Sequence, residues 1–470
     1  MGIRSKGCRT CRRRKVKCDQ TKPICKRCEV GSFVCQGYEQ YSEFVNEASR
    51  FCDTSIYSTP TSSKRNQCKG GVALVHPTRS ITPTLIDADR VIIYFARNIG
   101  SPNDSFKHLG WMATALQHPN TPEPLSSSVC ALASVFFSNS EETALLSSWG
   151  VRNYLRALQL VQSKVQCKSH IRDEDLPLSI LCLCIYEIVA PTHPGAWLNH
   201  AVGLAKIMQL NGAEQYSSGY RRQTLHALRY IVTLGYLHQK RRCFLENWSW
   251  ITIPWGGEPA RKPFLDSLHD IFCTLPGILS NLESHKKTQE VNIVNTSSEN
   301  LCLTVVSKIE ALYSWRYQWD ATYAKTIRVV QQRVADWSVD NQIILPQNSI
   351  PSSLLFSNLQ RAGELCLYNA VLLILLRIGH TLGIEISTLR SCHDPLLPRE
   401  GSPQLIAEEI IRMAPYMRHI QHGNKGIYLL SFPLQIARDR LQGGSEMIEW
   451  VDSVLRSIHG KFGKYIVDEL

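Results

Sequence analysis

The chain has 470 residues and a mass of 53.2 kDa, room for two or three domains at roughly 100–200 residues each. With 44% hydrophobic and 20% charged residues, wholesale disorder is excluded. The longest apolar stretch, Leu365 to Leu376, is closed by Glu364 and Arg377. It falls short of the ~18–20 residues that cross a bilayer, so it reads as a buried helix and no membrane partner is expected.

The formal net charge of +12 is concentrated at one end. Residues 1–40 hold 11 Lys or Arg against 3 Asp or Glu, whereas the other 430 hold 41 against 37. A small basic head on a nearly neutral body points to a polyanionic partner for the head. Six of the 17 cysteines lie in that head, and the other eleven are scattered through the body without framework spacing. The N-terminal residues are basic and carry no apolar signal core. The expectation is a reducing compartment, with the clustered cysteines binding metal.

The head cysteines stand as Cys8-x2-Cys11-x6-Cys18-x6-Cys25-x2-Cys28-x6-Cys35, one unit written twice. Zinc prefers four tetrahedral ligands, and thiolate is a favoured one. Six sulfurs fill only six of the eight places that two zincs require, so two cysteines would bridge both metals. The simpler alternative is one zinc held by Cys8, Cys11, Cys25 and Cys28, with Cys18 and Cys35 idle. Ile24, Val30, Phe33 and Val34 are nearly all the apolar material the head has. Metal must therefore supply most of its folding free energy. Between Cys11 and Cys18 runs Arg12-Arg13-Arg14-Lys15-Val16-Lys17, five cations in six residues. On a metal-anchored turn such a run suits a nucleic-acid groove, where Lys and Arg replace condensed counterions. It also suits a solvated face or a nuclear-import patch.

Residues 39–84 are rich in Ser and Thr, with Pro60, Pro77, Pro83 and Gly70-Gly71, and read as a linker. Tyr41, Phe44, Val45, Ala48 and Phe51 follow helical spacing for about one heptad, too little for a zipper. From residue 85 the pattern is helical. Leu85 to Ala96, Thr143 to Val165, Leu176 to Val189, Ala196 to Leu210 and Arg221 to His238 carry it first. Leu301 to Trp319, Ser352 to Ile378, Pro403 to Met417 and Met447 to His459 continue it. Trp250 to Trp255 reads as a short extended piece. The expected architecture is a small zinc head (1–38), a linker (39–84) and a large all-α body (85–470).

No phosphate-cradling Gly loop, G-x-S-x-G elbow or H-E-x-x-H motif occurs, so an enzyme is not expected. Asp173, Glu174 and Asp175 suit a helix N-terminus. His193 and His200 would share a face only if both were helical. Trp197, Trp248, Trp250 and Trp255 read as packing before pocket.

The head resembles the fungal zinc binuclear cluster (Zn2Cys6) transcription factors in its cysteine spacing, its basic run, and Lys22-Pro23 before the fourth cysteine. More weakly, the body resembles the helical regulatory region of such regulators. It does so through Ala196-Trp197-Leu198-Asn199-His200-Ala201-Val202-Gly203 and through Arg241-Arg242-Cys243-Phe244-Leu245, followed by Pro254-Trp255. The resemblance implies two zincs bridged by Cys8 and Cys25, with Cys11 and Cys18 completing one site and Cys28 and Cys35 the other. It puts Lys15 on a CGG-type triplet in the major groove of double-stranded DNA, with Arg14 assisting at base edges. Arg12, Lys17, Lys26 and Arg27 would contact phosphates. A nuclear regulator of RNA polymerase II-type genes is implied, with the transcription machinery and a second copy of the chain as candidate partners. The alternative is a zinc-headed co-regulator acting through protein partners without productive DNA binding. No residue pattern names an effector, an activator or repressor role, or a half-site spacing.

Overall fold

The structure is a computed structural model. It describes residues 8–21, 25–31, 33, 35, 112, 121–138, 144–167, 172–257, 262–289, 296–331, 352–384, 403–419, 423–441 and 445–462. The chain divides into two compact units, Met1–Thr78 and Arg79–Leu470. The expected linker, the Tyr41–Phe51 spacing and the helix over Leu85 to Ala96 lie outside the described residues.

Two short helices, α1 (Arg9–Arg13) and α2 (Lys26–Val30), lie among the described residues of the first unit. Among the described residues, the second unit is all-α apart from one ribbon. Its helices α3 (Glu123–Ser138) and α4 (Ala144–Gln166) pack along each other. The approach is close enough that a Cβ on Gly150 would lie 1.9 Å from Ser134 Oγ. Both cover α5 (Asp175–Val189), in which every residue is buried, as its almost unbroken apolar sequence requires. Lys164 reaches Asp173 at 2.7 Å and Asp175 at 2.9 Å, so the acidic triplet at the start of α5 is tied to α4.

Next come α6 (Ala196–Asn211) and α7 (Gly219–His238), crossing where a Cβ on Gly235 would meet that of Ala201 at 3.0 Å. Trp248–Thr252 (α8) and a 3-10 turn over Ile253–Trp255 replace the extended piece expected there. Trp250 and Thr252 of the helix and Pro254 of the 3-10 turn are all buried. Trp255 is then ringed by cations: Arg222, Arg229 and Lys262 lie 4.4, 5.1 and 4.5 Å from its ring centroid. Asp270 pairs with both Arg229 and Lys262, and Asp266 with Arg222 at 3.8 Å.

Beyond this hub lie α9 (Phe264–Phe272), α10 (Leu275–Gln289) and α11 (Thr296–Tyr323). An antiparallel ribbon follows, β1 (Arg328–Gln331) with β2 (Ser352–Leu355), Arg328 opposite Leu355. The sequence reading ran helix from Ser352; the helix begins at Leu359, capped by Asn358, whose side chain accepts from Arg361 N at 3.1 Å. This helix, α12 (Leu359–Thr381), is long and apolar enough to cross a membrane. Yet every residue from Ala362 to Gly379 except Arg377 is buried, by α11, α13 (Pro403–Met417) and α14 (Gly423–Arg438). Its buried Glu364 and Asn369 are matched. Glu364 accepts from Trp319 Nε1 at 2.8 Å and from Arg361 at 2.7 Å. Asn369 donates to Glu409 at 2.7 Å, and Arg316 pairs with Glu409 at 3.2 Å. Helix α15 (Ser445–Phe462) packs on α14.

Candidate metal centre and nucleic-acid interface

Cys8, Cys11, Cys25 and Cys28 are completely buried, while Cys18 and Cys35 are half-buried. Helix α1 carries Cys11 one turn after Cys8. Cys25 caps α2, its sulfur accepting from Cys28 N at 3.3 Å. The Cys8 sulfur lies 3.6 Å from that of Cys25 and 3.7 Å from that of Cys28. Cys11 lies 3.7 Å from Cys25 and 3.8 Å from Cys28. Tetrahedral Zn–S bonds of about 2.3 Å require an S···S edge of about 3.8 Å, so these separations are those of a compact zinc–thiolate cluster.

The sulfurs fall into two overlapping tetrads, each with all four atoms within 4.8 Å of one another. One holds Cys8, Cys11, Cys18 and Cys25; the other holds Cys8, Cys25, Cys28 and Cys35. Cys8 and Cys25 are common to both. A single zinc on Cys8, Cys11, Cys25 and Cys28 would strand two sulfurs that already complete four-ligand sets.

The chemistry of the set fits zinc. Burial pushes the Cys8 thiol up to about 12 and raises Cys11 and Cys25 as well, so a compensating divalent cation is needed to hold them as thiolates. Backbone N–H groups point at the sulfurs. Cys11 N donates to Cys8, Cys8 N to Cys18 and Gln20 N to Cys18, each at 3.4 Å. All donors are soft sulfur, the choice that favours zinc over hard cations.

Two features were not visible in the sequence. Asp19 closes the loop onto α2, accepting from Lys26 N at 3.0 Å and Arg27 N at 3.2 Å. The hydroxyl of Thr21, then those backbone donors, hold its carboxyl well below the usual range. Only its place one residue past Cys18 signals it. The second is the end of α1. Lys15 has φ 55°, and Val16 N donates to Cys11 O at 3.0 Å, a Schellman turn with lysine where glycine is usual.

The predicted contact residues divide. Lys15, Lys17, Lys26 and Arg27 are exposed. Arg14 is exposed but engaged, its guanidinium 3.4 Å above the Phe33 ring. Arg12 sits within α1, and its side chain lies outside the described residues.

In the second unit the histidines and tryptophans weighed in the sequence do not form one cluster. His193 lies in the turn before α6, with Nδ1 3.0 Å from Pro194 O. His200 is buried inside α6, 3.3 Å from the Tyr154 hydroxyl. Trp197, Trp250 and Trp255 are packed, while Trp248 is exposed.

Residues 6–43 match the fungal Zn(2)-Cys(6) binuclear cluster domain, and the head accordingly holds two zinc ions. An uncharacterized transcriptional regulatory protein of Schizosaccharomyces pombe is 34% identical over 126 residues, 24% of this chain and 21% of that protein. Transcriptional regulatory protein moc3, also of Schizosaccharomyces pombe, is 56% identical over 32 residues, 7% of this chain and 6% of that protein. White-opaque regulator 2 of Candida albicans is 44% identical over 50 residues, 11% of each. The chain thus matches no more than 21% of the length of any of these relatives. No solved structure matches it. Both matched domains belong to transcription factors and neither to enzymes. With residues 94–382 matching the fungal specific transcription factor domain, well over half its length, the chain belongs to that family of transcription regulators.

Proposed function

We propose that this regulator binds double-stranded DNA directly, reading CGG-type sites in the major groove through the head. In this reading Cys8 and Cys25 bridge the zincs, Cys11 and Cys18 complete one site, and Cys28 and Cys35 the other. Residues 1–38 form the reader, 39–84 a linker and 85–470 a regulatory body. It acts in the nucleus on genes transcribed by RNA polymerase II, with a second copy of the chain and the transcription machinery as partners.

The observation that carries the proposal is the coupling of exposed cations to a metal-fixed frame. Lys15 projects from a turn pinned at Cys11, and Lys26 and Arg27 open the helix that Cys25 caps. A frame fixed by thiolate–metal bonds loses little conformational freedom on binding, so a lysine on it can select a base edge. Lys17, Lys26, Arg27 and Arg12 serve the phosphates, and Arg14, held on Phe33, stiffens the rim beside the base edges.

Anisotropy titrations of CGG-containing and scrambled duplexes at two salt concentrations test it. Lys15→Ala should cost about 1–3 kcal/mol on CGG and little on scrambled DNA. Lys26→Ala should weaken both alike and lower the salt slope by about one unit. Absence of any duplex binding by zinc-loaded protein would favour the co-regulator reading.

A further inference from the structure

Away from the head, a cleft of about 100 Å³ opens between α10, α12 and the end of α14, next to Lys240 just past α7. Its floor is apolar, formed by Leu282 of α10, Ile374 of α12 and Ile436 of α14 among others. Its mouth carries Lys240, Lys286, Arg377 and Arg440 against Glu283 and Asp439. Lys240 is neutralised by Glu283 at 3.0 Å, and Asp439 leans toward Arg438 at 3.9 Å. Among the described residues, the Arg377 and Arg440 guanidiniums have neither an ion-pair nor a hydrogen-bond partner.

That is an unusual place to leave two arginines. Arg377 is the single exposed break in the buried face of α12, and Arg440 is half-buried beside it. Burial, then the neighbouring Arg377, depresses Arg440 by more than the adjacent Asp439 raises it, as two cations held close would. Lys240 has φ 48°, a conformation L-residues avoid unless the surroundings hold it.

We propose that this cleft binds a small organic anion with a short hydrocarbon tail, a medium-chain carboxylate, its head group on Arg377 and Arg440 and its tail on the leucine–isoleucine floor. Guanidinium forks match a carboxylate bidentately, and the apolar floor selects a tail over a bare ion. Glu283 and Asp439 at the same mouth disfavour polyanions, so nucleic acid and polyphosphates are the wrong class. The volume holds several waters, the scale of a short acid and too small for a drug-sized ligand.

The proposal goes beyond the DNA reading and is tested without DNA, by ligand-observed NMR on the full zinc-loaded chain. Hexanoate should bind; acetate and 1-hexanol should each bind at least about tenfold more weakly, and hexylammonium should not compete. Arg377→Gln, at an exposed position that leaves the core intact, should weaken hexanoate roughly tenfold, and Arg440→Gln should do the same. Circular dichroism confirms folding of each variant, and Arg377→Gln alone decides if Arg440→Gln fails to fold. No hexanoate binding, equal binding of acetate or 1-hexanol, or unchanged affinity in Arg377→Gln would each overturn the proposal.

Discussion

The two tetrads make a sharp claim about ligand loss. Cys25 belongs to both, at 3.6 Å from Cys8 and 3.7 Å from Cys11, whereas Cys18 belongs to one. Structural zinc in small domains is held with about 10–16 kcal/mol shared among four ligands, so each thiolate carries about 2.5–4 kcal/mol. Cys18→Ser should therefore leave one zinc at full affinity and loosen the other by about 10²- to 10³-fold. Cys25→Ser should leave two three-thiolate sites, both loosened by that factor. Titration of the full chain with a chromogenic chelator resolves the two cases. Cys18→Ser should release zinc in two separated steps, and Cys25→Ser should release both early. A Cys25→Ser protein that keeps one zinc at wild-type affinity would refute the shared ligand. A wild-type chain saturating at one zinc would refute the whole arrangement.

Lys15→Gly separates strain from recognition. At φ 55° glycine is the easier residue, so the variant should hold zinc at least as well as wild type while losing its preference for CGG over scrambled duplex. Loss of zinc affinity instead would mean that Lys15 is structural. His200 sets a pH dependence in the body. Burial, then the charge of His193, lowers it to about 4, against 6.5 when exposed. Between those values the unfolded chain binds the extra proton, so stability falls as pH falls. The loss reaches about 2 kcal/mol by pH 5 and about 3 kcal/mol by pH 4. Urea titrations at pH 7 and pH 5 check it: the drop should shrink by that amount in His200→Gln, and an unchanged drop would assign it to other groups.

How far the sequence exposes the fold depends on what each segment buries. Asp175–Val189 and Pro403–Met417 are legible because their apolar periodicity is dense. Besides the short α8, four body helices among the described residues escape it. Glu123–Ser138 hides behind Ser126, Ser127 and Ser128. Leu275–Gln289 opens on Pro276-Gly277, and Gly423–Arg438 contains Pro433. Phe264–Phe272 is only 9 residues long. The ribbon is hidden for another reason. Its strands are four residues each, twenty residues separate Gln331 from Ser352, and long-range pairing leaves no local period. At the metal centre, spacing reveals the six sulfurs but not Asp19, because a side chain whose backbone donors lie seven and eight residues further on acts only after the loop has closed. Arg14 reads as a DNA contact within a cationic run; that it lies on Phe33 depends on how the cluster brings residues 14 and 33 together.

The two units draw their stability from different sources, and that difference can be measured. Among the described residues of the head, the fully buried hydrophobic positions are all cysteines, so without metal little apolar burial among them holds α1 against α2. In the body, one continuous cluster of aliphatic and aromatic side chains runs from α3 to α15 and includes no metal ligand. Chelation should therefore abolish DNA binding while barely changing far-ultraviolet ellipticity. Helices α1 and α2 contribute 5 residues each, against 28 in α11 alone. Thermal melting of the body should keep its midpoint in chelator, since no zinc ligand belongs to its core. A body that lost its helical signal with the zinc would mean that burial alone does not sustain it, and that the head's metal is part of its stability.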